Sequence, residues 1–132
     1  MSLIATILLA GTPAAAAAAP DPAAAQEIVG IGRKIDKRLS RWRGRLRKVD
    51  GEVVCQTRRS TRDKAIDAIG CDAMLACFGP VIPQMDRISA SETLSRKEKD
   101  ERAGALARST GPCVYEVRQR GIERLARERA GA

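Results

Sequence analysis

Downstream of the N-terminal region, the most continuously apolar run is Ile69-Gly70-Cys71-Asp72-Ala73-Met74-Leu75-Ala76-Cys77-Phe78. Ile66, Ile69 and Ala73 recur at helical spacing, which predicts a helix through this run. Ser60-Thr61-Arg62-Asp63 reads as its start, with a hydroxyl cap answered by a carboxylate. Gly79-Pro80 ends it, because proline cannot continue the hydrogen-bonding ladder. Val81, Ile82, Met85 and Ile88 are again spaced as on a helix, with Pro83 tolerable in a first turn. Ser89 to Thr93 reads as a connector. Ser95 and Glu98 then form a capping box. The helical stripe Ala103, Leu106, Ala107 follows, and Cys113, Val117, Gly121 and Leu125 resume one beyond Thr110-Gly111-Pro112, which is expected to divide it.

The pattern upstream is different. In Arg41-Trp42-Arg43-Gly44-Arg45-Leu46-Arg47 an arginine stands at every second position. On a strand those guanidinium groups share one face, and Trp42 and Leu46 point to the other. Asp50-Gly51 is a favoured pair for a two-residue hairpin turn with positive φ at both centres. Glu52-Val53-Val54-Cys55-Gln56-Thr57 returns as the partner. A hairpin of about Trp42–Val49 against Glu52–Arg58 is expected. Gln26 to Arg33, rich in β-branched residues, reads as a further extended strand. Gly30 and Gly32 do not make a phosphate loop, since the third glycine and the Gly-Lys-Ser/Thr ending are both missing.

Residues Met1 to Ala25 contain no Lys or Arg and a single acid, Asp21. Leu3 to Ala10 is a short apolar core, followed by Gly11, Pro13 and the Ala14–Ala19 tract. This is the build of a secretory signal peptide, far short of the roughly 20 residues of a spanning helix. Small residues suited to cleavage stand at Ala17–Ala19 and at Ala23–Ala25. The expected organisation is a cleaved leader over 1–25 and one mature domain over 26–132, with a hairpin region at 26–59 and a helical region at 60–132. The mature chain is expected to carry no transmembrane helix. The fold class is α+β: a small disulfide-stapled domain with an N-terminal β-hairpin followed by two or three α-helices.

Export changes the reading of the cysteines. In a periplasmic or secreted protein they pair, and all four (Cys55, Cys71, Cys77, Cys113) lie beyond the leader. With no His and no Cys-x-x-Cys, neither a zinc site nor a redox dithiol fits the spacing. Six positions along a helix turn the side chain by about 600°, or about 240° net, so Cys71 and Cys77 face different flanks. Local order then favours Cys55–Cys71 and Cys77–Cys113 among the possible pairings.

The chain is basic, with 24 Lys and Arg against 16 Asp and Glu, and it has only three aromatic residues: Trp42, Phe78 and Tyr115. Its core must be aliphatic and rich in alanine. Arg41, Arg43, Arg45 and Arg47, extended by Arg58 and Arg59, form a candidate anion-binding surface, with Trp42 as a stacking residue. Its partner would be an anionic envelope component, lipid phosphate or polysaccharide. Docking to an acidic protein is the alternative, and a solvated basic face is the plain reading. One aromatic in the strip and no known binding motif leave nucleic acid without specific support. The absence of His excludes the common Ser-His and Cys-His nucleophile pairs. Asp63 and Asp67 lack the roughly six to eight oxygens that calcium takes, and Arg62 and Lys64 stand ready to neutralise them. Ser95, one turn from Lys99, is used as a cap. A non-enzymatic module without metal or cofactor is therefore expected.

Overall fold

The computed structural model describes residues 21–131. The chain runs α1 (Pro22–Leu39), β1 (Arg43–Val49), β2 (Glu52–Arg59) and α2 (Lys64–Phe78). A short 3-10 turn (Gly79–Val81) leads into α3 (Ile82–Ala90), α4 (Arg96–Ser109) and α5 (Gly111–Arg129). The fold is α+β, an antiparallel hairpin followed by helices and stapled by two disulfides. Most of the leader lies outside the described residues. The expected boundary at Ala25 falls inside α1.

The first helix overturns the strand expected at Gln26–Arg33. Asp21 caps it, accepting from the Ala23 N–H at 3.3 Å, and Pro22 occupies its first turn. Ile28, Ile31, Ile35 and Leu39 then fall on one stripe. Ile35 and Leu39 are fully buried, and Ile28 and Ile31 pack against the core. Burial of this stripe outweighs the modest strand preference of β-branched residues.

The hairpin pairs Leu46 with Cys55 and Arg45 with Gln56. Asp50 and Gly51 both have positive φ, 51° and 81°, as a type I′ turn requires. The inner face of the hairpin meets α2 through the Cys55–Cys71 disulfide. The C-terminal end of α2 is tied to the start of α5 by Cys77–Cys113.

Trp42 is the centre of the core. It is 2 % exposed and packs with Ile35, Leu39, Ile66, Ile69, Ile122, Leu125 and Ala126. Its indole N–H donates to Thr57 Oγ1 at 3.2 Å. Backbone approaches it so closely that a Cβ on Gly70 would lie 2.5 Å from the ring, and one on Gly44 2.2 Å. Glycine is therefore demanded at both positions, on α2 and on β1.

By length and composition alone, the helical stretch Lys64–Ala90 is apolar enough to cross a membrane. Its first part is the domain's core helix, with Ile66, Ile69, Gly70, Ala73 and Cys77 buried. In contrast α3 and α4 bury no residue. The Ser95–Glu98 capping box is formed in full, and Thr110–Gly111–Pro112 separates α4 from α5.

The start of α2 differs from the sequence reading. Asp63, not Ser60, is the cap, and accepts from the N–H groups of Ala65 and Ile66. Ser60 and Thr61 instead donate to Asp67. Neutralisation comes from afar: Arg129 of α5 donates to Asp63 at 2.7 Å, and Arg38 of α1 lies 3.5 Å away. Burial by itself would raise both carboxyls. For Asp63 the Arg129 and backbone hydrogen bonds, and for Asp67 those from Ser60 and Thr61, win and hold them below the ordinary value. A depressed carboxyl stabilises the fold above its unfolded value, near 4, and that contribution is lost as pH falls through the folded value. The melting temperature should thus fall with acidification below about pH 4, and Asp63→Ala should cost about 1 kcal/mol at neutral pH and flatten that acid slope. Thermal melts of parent and variant across pH 2–7 check both.

Candidate anion-binding face

On the outer side of the hairpin, β-alternation places Arg45 and Arg47 beside Gln56 and Val54. Gln56 Oε1 accepts from Arg45 Nε at 3.1 Å and from an Arg47 terminal nitrogen at 3.4 Å. One neutral amide thus holds two guanidinium groups side by side. At the base of the hairpin, Arg43 donates from one nitrogen to the carbonyls of Ser40 and Trp42, both at 2.8 Å. A bulge follows Arg43, leaving Arg58 as the extra residue on β2, with Arg59 opposite Arg43.

Arg43, Arg45, Arg47, Arg58 and Arg59 are all exposed. Among the described residues, none of them has a carboxylate within 4 Å; the ion pairs belong to Arg38, Lys48, Lys97, Arg120, Arg127 and Arg129. Arg41 is also exposed and free of such a partner, but it lies in the turn before β1, outside the strand alternation. Lys48, on the inner face, pairs with Asp86 of α3 and is already neutralised.

Trp42 leaves the candidate surface. The side chain expected to stack on a ligand is enclosed in the core, because its Cα precedes β1 and the indole turns inward to Thr57 and Gly70. Its outward neighbour is Arg118 of α5, whose guanidinium carbon stands 5.9 Å from the ring centroid. Sequence reasoning missed Arg118. A signal existed, since it lies three, four and seven residues before Gly121, Ile122 and Leu125, on the buried stripe of α5. Burial pulls the Arg118 guanidinium below its ordinary pKa, with a smaller push from the charge of Arg43; Asp36 acts the other way.

A groove of about 530 Å³ runs elsewhere, between α1 and α5, over a floor that includes Ile28, Gly32, Ile122 and Ala126. It touches none of the hairpin arginines. No family model, curated protein or solved structure matches the chain. The two cross-links, with no free cysteine among the described residues, are the cysteine usage of an oxidising compartment.

Proposed function

We propose that this is an exported, non-enzymatic binding module whose hairpin contacts an anionic component of the cell envelope. One observation carries the reading. The strand arginines are held by neutral acceptors, a glutamine amide and backbone carbonyls, and not by acids. Their positions are fixed while their charge stays available, so part of the ordering entropy of a bound state is already spent. A surface serving only solubility gains nothing from such anchoring. Export fits the leader and the disulfides. Cleavage at Ala17–Ala19 would leave the Asp21 cap on α1, whereas cleavage after Ala25 would remove it.

The test is co-sedimentation with vesicles of anionic or zwitterionic lipid, and retention on an anionic envelope polysaccharide. At about 1 kcal/mol per arginine near a charged surface, Arg45→Gln with Arg47→Gln should weaken binding about thirtyfold. Its melting temperature should hold, since both side chains are exposed. Binding by the parent should fall steeply between low and physiological salt. Equal retention of parent and double variant on every anionic matrix would reduce the strip to a solvated face.

A further inference from the structure

On α4 and α5 several exposed cations stand one turn from an acid, as in Lys97–Glu101, Arg120–Glu116 and Arg127–Glu123. The last turns of α1 are built otherwise. Lys34, Lys37 and Arg38 follow one another at helical spacing, and no Asp or Glu lies three or four positions from any of them. Like charges so placed repel one another. The helix dipole favours Lys37 and Arg38 in the final turn, but Lys34 lies before it. A fourth cation arrives from another helix. Arg129 of α5 donates to Asp63 Oδ2 at 2.7 Å, and a terminal nitrogen of Arg38 stands 3.5 Å from the same oxygen. Two guanidinium groups from different helices therefore meet at one atom, with the Arg129 and Arg38 side chains still 36 % and 47 % exposed. Arg38 is fixed further by donating to the Thr61 carbonyl at 2.9 Å. All four cations line one groove of about 390 Å³, which Ile31 also walls and no acid lines. Among the described residues neither lysine has a carboxylate within 4 Å, and Asp63 alone pairs with the arginines. Folding thus collects four positive charges about a single negative one.

We propose that this groove binds a phosphate group, through Lys34 and Lys37 together with the remaining guanidinium nitrogens of Arg38 and Arg129. The inference goes beyond the hairpin reading and uses none of its residues. The charge left over selects the chemistry. With Asp63 in place three cations stay unbalanced, and a second carboxylate would offset only one of them. A phosphate monoester brings about −1.5 to −2 at neutral pH on three acceptor oxygens. The lysines act as adaptable point charges, and the arginines are forks already held in position by Asp63 and Thr61. Asp63 is thereby a fixed counter-ion that places the two arginines without exhausting their donors.

The probe is inorganic phosphate, titrated at an ionic strength held constant with chloride and read by calorimetry and by the melting temperature. The parent should show saturable binding and a matching rise in melting temperature. Lys34→Gln with Lys37→Gln should weaken binding about tenfold or more, the worth of one charge-assisted hydrogen bond. Its circular dichroism and its melting temperature in chloride should hold, because both lysines are exposed and make no ion pair among the described residues. Lys34→Arg with Lys37→Arg keeps the charge and should keep the response. The Arg45→Gln, Arg47→Gln variant should also keep it while losing surface binding, so the two readings fail separately. Vesicles of equal surface charge identify the source. Preference for phosphatidic acid over phosphatidylglycerol, abolished by Lys34→Gln with Lys37→Gln, marks a lipid-borne monoester, and a response to free phosphate without that preference marks a soluble one. A parent that responds to phosphate no more than to chloride, or a response that survives Lys34→Gln with Lys37→Gln undiminished, overturns the proposal.

Discussion

Removing the Cys77–Cys113 bridge, by Cys77→Ala with Cys113→Ala, is expected to lower stability by roughly 4 kcal/mol, the chain-entropy value for a closed loop of this length. The effect should be uneven. The bridge sits at the neck of an excursion made of the 3-10 turn, α3 and α4, in which no residue is buried. These helices have little apolar contact to hold them once the neck opens, and local opening follows local contact density. Amide exchange across 82–109 should therefore rise well above that of α1, α2 and α5, as hydrogen-exchange mass spectrometry can read segment by segment. Protection in α3 and α4 equal to that of the parent would show that they hold their place without the bridge. Loss of Cys55–Cys71 closes a shorter loop and should cost roughly 3 kcal/mol. Reducing both bridges removes a sum comparable with the whole stability of a small domain, about 5–15 kcal/mol, and should unfold the chain.

Trp42→Ala is the second large effect, at about 3–5 kcal/mol for an aromatic removed from a core. The indole touches elements on three sides: α1 through Leu39, α2 through Gly70 and β1 through Gly44. A core this poor in aromatic residues has no other ring to fill the space. The reciprocal experiment adds a methyl instead of removing a ring. Gly70→Ala places its Cβ where the indole already lies, and should cost about 1–3 kcal/mol by overpacking, without changing any charge. Urea unfolding followed by tryptophan emission checks Gly70→Ala directly. For Trp42→Ala, which lacks the fluorophore, far-ultraviolet circular dichroism gives the same quantity. A tolerated Gly70→Ala would mean that Trp42 has room to move.

These expectations rest on features that the sequence disclosed unevenly. The hairpin was legible, because alternation of Arg43, Arg45 and Arg47 has period two and Asp50-Gly51 demands a specific turn. The capping box at Ser95 and the break at Thr110-Gly111-Pro112 are equally local. Helix geometry also separated Cys71 and Cys77 onto different flanks, and the structure links one to β2 and the other to α5. Non-local physics governed the rest. The stretch at Ile28 to Ile31 has strand-like side chains, and only its burial on the stripe that continues to Ile35 and Leu39 makes it a helix. Whether Trp42 lay outward or inward depended on Gly70, a partner on another element. The partners of Asp63 come from α1 and α5, not from the adjacent Arg62 and Lys64. Arg118 meets the Trp42 ring only when α5 packs against the core.

The double tether on α2 also constrains the route by which the native state is reached. In an unfolded chain, Cys71 and Cys77 are the pair closest in sequence, and short loops close most readily. Once α2 is helical, six residues of rise set their Cα atoms about 9 Å apart, beyond the roughly 7 Å that a disulfide can span. The helix thereby vetoes the cross-link that chain statistics favour. A Cys71–Cys77 cross-link made while that segment is unwound would have to be undone by thiol exchange before α2 could form, so the helix itself directs its two cysteines to partners on other elements.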